Sequence, residues 1–393
     1  MSTSHHLTGE KLATGAFLLL SPSVVKLHFT FRDDYLKVHS AFSHAFSGAP
    51  SIEMLRLSMQ PSEHMYKHCH QYRLLRIQVV PLVHASHLQI LAKFAHLSSL
   101  RISIRYMSPP TDGLVFPLLD TLQARGNWTC LAILLNSIHA PELRELSLEA
   151  WERGTPTQQV AKDTTECLRT MSAKHSFLTH LTILASYGGP SLGSCVVQPI
   201  PIVQDTFEGP LLDIIQPLLE LHDLRTLMLI LSDYLDVDCS SADFLAMSKA
   251  WRAIQALHIE YFTPMGASLP GGDRPRGGPL AAMAHFARNC PSLKTLHLPP
   301  MDATQLELGE ESLPSDNPAH GLQRLVTSKV KIGSQRDSGQ TALTNSMMEF
   351  VERVFPSAAW AFKMGRVAVA DGWLVAQENA HCLDCRALRL PIS

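Results

Sequence analysis

Ser191 stands in Gly189-Pro190-Ser191-Leu192-Gly193, the G-x-S-x-G spacing that exposes a nucleophilic serine on a strained turn between strand and helix. A strand fits in front of it, in Leu178–Ala185. Behind it stand Pro199 and Pro201, which lack the N–H that a helix needs, and Pro190 fixes the backbone just before the serine. The spacing therefore reads as a turn-rich loop, and hydrolysis through Ser191 ranks last among the functions the chain could carry. Two imidazoles and a carboxylate, His258, His297 and Glu260, have the donor types of a zinc site. They are expected to act instead as polar surface residues at a partner-binding face. The run His64–His70 places His64 and His68 on one helix face beside Cys69 and His70, but has no second cluster to complete a site. Cys382 and Cys385 form one C-x-x-C pair without the second pair of a structural zinc site or the βαβ setting of a redox one. The loop Gly271–Gly278 is glycine-rich yet lacks the Gly-Lys-Ser/Thr ending that sets a lysine on phosphate, so it reads as a connector. No position offers nucleophile, base and oxyanion donor together. The expectation is a non-enzyme with no catalytic residue, no metal and no cofactor.

The elements that would position these residues follow a repeat. Leu178–Ile183 has the apolar spacing L-x-x-L-x-L, and the spacing returns at Leu97–Ile102, Leu143–Leu148, Leu224–Leu229, Ile254–Ile259 and Leu293–Leu298. Weaker copies are Ile52–Leu57, Tyr72–Ile77, Leu119–Ala124 and Leu322–Thr327, and Pro22–Leu27 opens the series. Side chains of a strand alternate between faces, so the last two apolar positions of each copy enter a core together. This is the leucine-rich-repeat signature. Three buried aliphatic side chains contribute roughly 1.5–3 kcal/mol each. Ordering a repeat of about 30 residues costs about 1–2 kcal/mol per residue, so no copy stands alone and neighbours must cover its faces. Ser241–Ala253 and Pro279–Arg288 read as helices between strands, the first with a serine cap and a stripe of Phe244, Leu245, Met247 and Trp251 broken at Ser248. The long connectors Ser186–Pro210, Pro264–Gly278 and Asp302–His320 make the array irregular.

The 393 residues carry 33 Lys+Arg against 35 Asp+Glu, a balance that gives no whole-molecule attraction to nucleic acid or to an anionic membrane. At 46% hydrophobic and 17% charged residues the chain has ample material for a core. Its 8 cysteines are too sparse for a disulfide scaffold and suit a reducing compartment, cytoplasm or nucleus. The apolar run Ala13–Leu20 is too short to span a membrane and has no convincing cleavage site after it. Asn127-Trp128-Thr129 is a glycosylation sequon that carries no meaning in such a compartment.

Cys290–Thr304 ("CPSLKTLHLPPMDAT"), Leu245–Ile259 and Ala140–Trp151 resemble the leucine-rich-repeat part of F-box proteins of mushroom-forming fungi. Phe350–Trp360 followed by Trp373 is similar to the last repeat and closing helix of that group. The resemblance implies the substrate receptor of a cullin-type ubiquitin ligase, docked on the ligase adaptor through an N-terminal F-box that opens with a Leu-Pro motif. Only about twenty residues precede the first repeat, too few for that unit. The adaptor is therefore expected as a partner only if an F-box lies upstream; otherwise the array is a stand-alone scaffold or inhibitor.

The expected fold is an α/β leucine-rich-repeat solenoid with a curved parallel sheet on the concave side and irregular helices on the convex side. Residues 1–21 would be a disordered segment or partial cap, 22–345 the repeats, and 346–393 a closing repeat with a helical cap. The outward position of the motif reads Lys26, Arg56, Arg76, Arg101, Gln123, Ser147, Thr182, Met228, His258, His297 and Val326. Four cations in consecutive repeats predict a concave face for a protein partner, an acidic one, with Lys26, Arg56, Arg76, Arg101, His258, Glu260 and His297 as its contacts.

Overall fold

The computed structural model describes residues 3–8, 24–30, 52–57, 76–104, 106–110, 113–152, 155–187, 207–231, 235–261, 278–304, 306, 320–327, 329–331, 338–360, 367–370 and 373–376. The chain divides into two compact units, Met1–Thr206 with Ile214–Asp223, and Phe207–Asp213 with Leu224–Ser393.

In the first unit eight strands run parallel in chain order: β1 (Thr3–Thr8), β2 (Val24–Thr30), β3 (Met54–Leu57), β4 (Arg76–Val83), β5 (Ser99–Ile104), β6 (Thr121–Gly126), β7 (Glu145–Glu152) and β8 (His180–Tyr187). Thus the N-terminal segment contributes a strand, paired with β2. In the second unit β9 (Thr226–Leu231), β10 (Ala256–Tyr261), β11 (Thr295–Leu298), β12 (Arg324–Thr327) and β13 (Ala359–Trp360) do the same.

Register lines the motif up. Leu55, Ile77, Leu100, Leu122, Leu146 and Leu181 stand side by side in the first unit, and Leu227, Leu257, Leu296 and Leu325 in the second; all are buried. The first apolar residue of each copy, from Leu97 to Leu322, is buried as well. A second regularity holds the strand entries. The N–H groups of two successive residues donate to one carbonyl of the preceding repeat: Arg144 and Glu145 to Asp120, Thr179 and His180 to Arg144, Gln255 and Ala256 to Arg225, Lys294 and Thr295 to Gln255. Each repeat thus satisfies polar backbone groups that it cannot satisfy itself.

Helices return the chain between strands. In the first unit these include α1 (Ala85–Leu91), α2 (Trp128–Ser137) and α3 (Thr157–Lys174), with α2 packed on α3. In the second they include α4 (Ser241–Ala250), α5 (Met283–Asn289) and α6 (Ser338–Val354), with α4 packed on α5. The cap of α4 is Ser240 rather than Ser241, in a reciprocal box with Asp243. Ser248 does not interrupt the buried stripe. It is fully buried, donates to the carbonyl of Leu245 and accepts from Asn289 Nδ2 of α5 at 2.9 Å, a polar link inside the helix pair. The segment expected as one helix over Pro279–Arg288 is a 3₁₀ turn, Leu280–Ala282, running into α5. In a separate small sheet of the second unit, Gly278–Pro279, Met301–Asp302 and Lys329–Lys331 pair in parallel, and Trp373–Ala376 and Val367–Ala370 close it antiparallel. Parallel strands joined by returning helices, with one apolar motif in register throughout, make this an α/β leucine-rich-repeat solenoid.

Candidate functional site

The side chains that alternate with the buried leucines form the open face of each ladder, and register decides which of them are neighbours. Beside Arg56 on β3 stand His28 of β2 and Gln78 of β4; the row continues through Arg101, Gln123, Ser147 and Thr182. Lys26 and Arg76 lie one row lower, level with Met54, Ser99, Thr121, Glu145 and His180. The expected single column of four cations is therefore corrected to two rows. The motif belongs on Val24–Phe29 and Leu74–Val79, two residues beyond Pro22–Leu27 and Tyr72–Ile77. A slip of two residues leaves every side chain on its own face, so alternation could not detect it.

The charge survives the correction in another form. Arg56, Arg76, Arg101 and Arg125 lie on β3, β4, β5 and β6, one arginine on each of four successive strands and all on the open face. Arg56 and Arg101 are exposed, Arg76 and Arg125 half-buried. Arg125 Nη2 pairs with Glu149 Oε1 at 2.8 Å, and its guanidinium lies 5.8 Å from the centre of the Trp151 ring. Glu149 stands directly beside Arg125, one row above Ser147. Sequence reasoning missed this cluster because it stopped at the end of the L-x-x-L-x-L window. Following the alternation of "ELSLEAWE" to its end would have placed Glu149 and Trp151 on the open face.

In the second unit the same row is Met228, His258, His297 and Val326. His258 and His297 are direct neighbours with their rings stacked, centroids 3.9 Å apart and planes 23° apart. Glu260, two residues beyond His258 and on the same face, places Oε2 3.0 Å from His258 Nε2. That hydrogen bond holds the Glu260 carboxyl below its ordinary value, against the opposing effect of burial and with help from the charge of His297. Burial brings His297 down to about 4, with His258 and Arg324 acting in the same direction and Glu260 against it. The structure thus brings His258, Glu260 and His297 together as a group, apart from the arginine strands along the chain.

Other sequence candidates fall elsewhere. Ser191, His64–His70, Cys382 and Cys385 lie outside the described residues. Of the glycine-rich loop only Gly278 is described, and a Cβ there would lie 2.1 Å from Phe244 Cε2. This glycine admits a buried aromatic ring. Cys130, Cys167, Cys239 and Cys290 are buried, and burial pushes Cys290 up to about 12, which disfavours its thiolate.

No protein-family model matches the chain, and no curated protein matches it. Solved structures similar to it include the leucine-rich-repeat-containing protein LegL7 of Legionella pneumophila, 16% identical over 74% of this chain and 92% of that one, with a TM-score of 0.41. Two others are from Listeria monocytogenes. Internalin C2 is 11% identical over 57% of this chain and 71% of that one, TM-score 0.31; internalin inlF is 11% identical over 80% and 69%, TM-score 0.34. These likenesses are remote, and the fold assignment rests on this chain's own register and carbonyl hooks. Among the described residues no helix is long and apolar enough to cross a membrane.

Proposed function

We propose that the chain is a non-catalytic, intracellular protein-binding repeat domain whose open, concave strand face captures an acidic protein partner. The observation that carries this reading is the arginine on each of the strands β3 to β6, flanked by Trp151. Arginine and tryptophan are the side chains that most often anchor protein interfaces, since both bury large contact area and arginine reads carboxylates bidentately. Staggering the arginines over two rows and pairing one with Glu149 lowers their mutual repulsion, which keeps such a face stable while unbound. Lys26 extends the basic face, and His258, Glu260 and His297 supply polar contacts in the second unit. The resemblance to F-box proteins supports a finer version, in which the captured protein is a ubiquitination substrate. The stand-alone scaffold or inhibitor uses the same face without a ligase adaptor.

The test uses the partner recovered with the intact protein, then purified. Arg56→Glu, Arg76→Glu and Arg101→Glu combined should weaken its binding at least about tenfold and flatten the salt dependence of Kd, with the melting temperature little changed. Unchanged affinity would remove the basic face from the account. Recovery of the ligase adaptor with the native gene product selects the ubiquitination version; its absence selects the scaffold.

A further inference from the structure

We propose that His258, Glu260 and His297 form a binding site for one divalent transition-metal ion of the zinc class, independent of the arginine face. The argument begins with register. His258 and His297 are directly opposed on adjacent parallel strands, and Glu260 follows His258 on the same face, so three metal-binding side chain types rise from neighbouring points of a rigid ladder. One donor atom of each lies within 4.8 Å of the other two, and His258 Nε2 is already 3.0 Å from Glu260 Oε2. A tetrahedral zinc ion with bonds near 2.0–2.1 Å holds its donors roughly 3.3–3.5 Å apart. The group is therefore close to ligand spacing, and the remaining adjustment is rotation of the imidazole rings out of their stack.

A second observation concerns His258 itself. It is 6% exposed, and its Nδ1 is buried without a hydrogen-bond partner. One imidazole gives an ion a single nitrogen, and Nε2, beside Glu260 Oε2, is that nitrogen; the bare Nδ1 means that no hydrogen bond at the ring's other edge pins it against the small rotation the ion requires. Glu260 and His297 are half-buried, which leaves the group open on its solvent side, so an ion can enter and a water can complete its coordination. Two nitrogens and one carboxylate oxygen suit zinc, or cobalt as its spectroscopic substitute, better than the oxygen-seeking magnesium or calcium. Arg324 acts against the site, for its charge reaches His297 from the next strand but one row away from direct contact in register, level with Thr295. That opposition gives a variant of opposite sign.

The experiment titrates the full chain, freed of metal by chelator, with zinc alone against a competing chromophoric chelator, and repeats the titration with cobalt. Wild type should bind one ion that His297→Gln and Glu260→Gln each weaken at least about tenfold, and that Arg324→Gln tightens. The cobalt lost in His297→Gln should show a d–d spectrum without thiolate charge-transfer bands, which separates it from any site built on the cysteines. Circular dichroism and melting of each apo variant confirm that the fold persists. Equal zinc stoichiometry and affinity in wild type, His297→Gln and Glu260→Gln would overturn the site and leave the three residues as a polar stack. Because the arginine reversals do not touch this cluster, each result stands apart from the test of the proposed function.

Discussion

Asn127 opens a glycosylation sequon in the sequence, yet its side chain is spent on the fold: Oδ1 accepts the N–H of Cys130 at 2.8 Å and caps α2. The same helix end receives a second acceptor, Glu152 at the close of β7, which takes the N–H of Trp128 at 3.0 Å and the hydroxyl of Thr155 at 3.2 Å. Burial raises the Glu152 carboxyl, opposed by those two hydrogen bonds. Asn127→Ala should destabilise the first unit by about 1 kcal/mol in denaturant unfolding, the ordinary cost of a lost cap, whereas a cost near zero would contradict the assignment. His175, just past α3, is buried and held down to about 4, chiefly by desolvation, with the backbone carbonyl of Leu135 opposing. In the unfolded chain it takes a proton near pH 6.5. Its contribution is therefore fully present above that pH and is lost as pH falls towards 4, by up to about 1.4 kcal/mol per pH unit. His175→Phe should flatten the fall in unfolding free energy between about pH 7.5 and about pH 5; an unchanged slope would contradict this. The types of these residues could be read in the sequence, but their partners could not, because each lies 3 to 40 positions away and is chosen by packing.

At the scale of elements, the six strong motif copies placed six strands correctly, since burial of both faces' neighbours leaves the leucines no freedom. Of the weaker copies, Ile52–Leu57, Leu119–Ala124 and Leu322–Thr327 stand in register, while Tyr72–Ile77 is displaced by two residues. Tyr72–Ile77 and Leu74–Val79 both satisfy an alternating pattern, and only pairing with Leu55 and Leu100 selects the second. The start of α4 was legible at Ser241, whereas α5 begins four residues past the expected Pro279; the role of Ser248 was not legible, because a hydroxyl that bonds within its own helix and to α5 can be buried at little cost. The glycine-rich loop gives the sharpest prediction here. Gly278→Ala would place a methyl against Phe244, itself fully buried and set edge-on to Phe286 at 5.8 Å. The expected cost is roughly 1–3 kcal/mol, read as a lower melting temperature, and Phe244→Leu in the same chain should recover part of it. Additive losses in the double variant would show that the two residues do not meet.

For the whole molecule, the contrast between core and face explains what a single sequence can reveal. The leucines and carbonyl hooks recur because every repeat must cover its neighbour, so the fold announces itself even where no family model matches. The open face obeys no such rule, and its meaning depends on which side chains the register brings together. It kept one arginine per strand from β3 to β6, added Trp151, and set His258 beside His297 in the second unit. Net charge is nearly balanced at −2, so any attraction for an acidic partner must come from this local arrangement. The decisive measurement is therefore a comparison at equal net charge. Arg56→Glu with Arg101→Glu alters the open face, while Lys162→Glu with Arg169→Glu alters exposed positions on α3. The affinity of the purified partner should fall at least about tenfold for the first pair and remain within about twofold of wild type for the second. Equal losses for both pairs, or none for either, would contradict a binding site on the open face of the ladder.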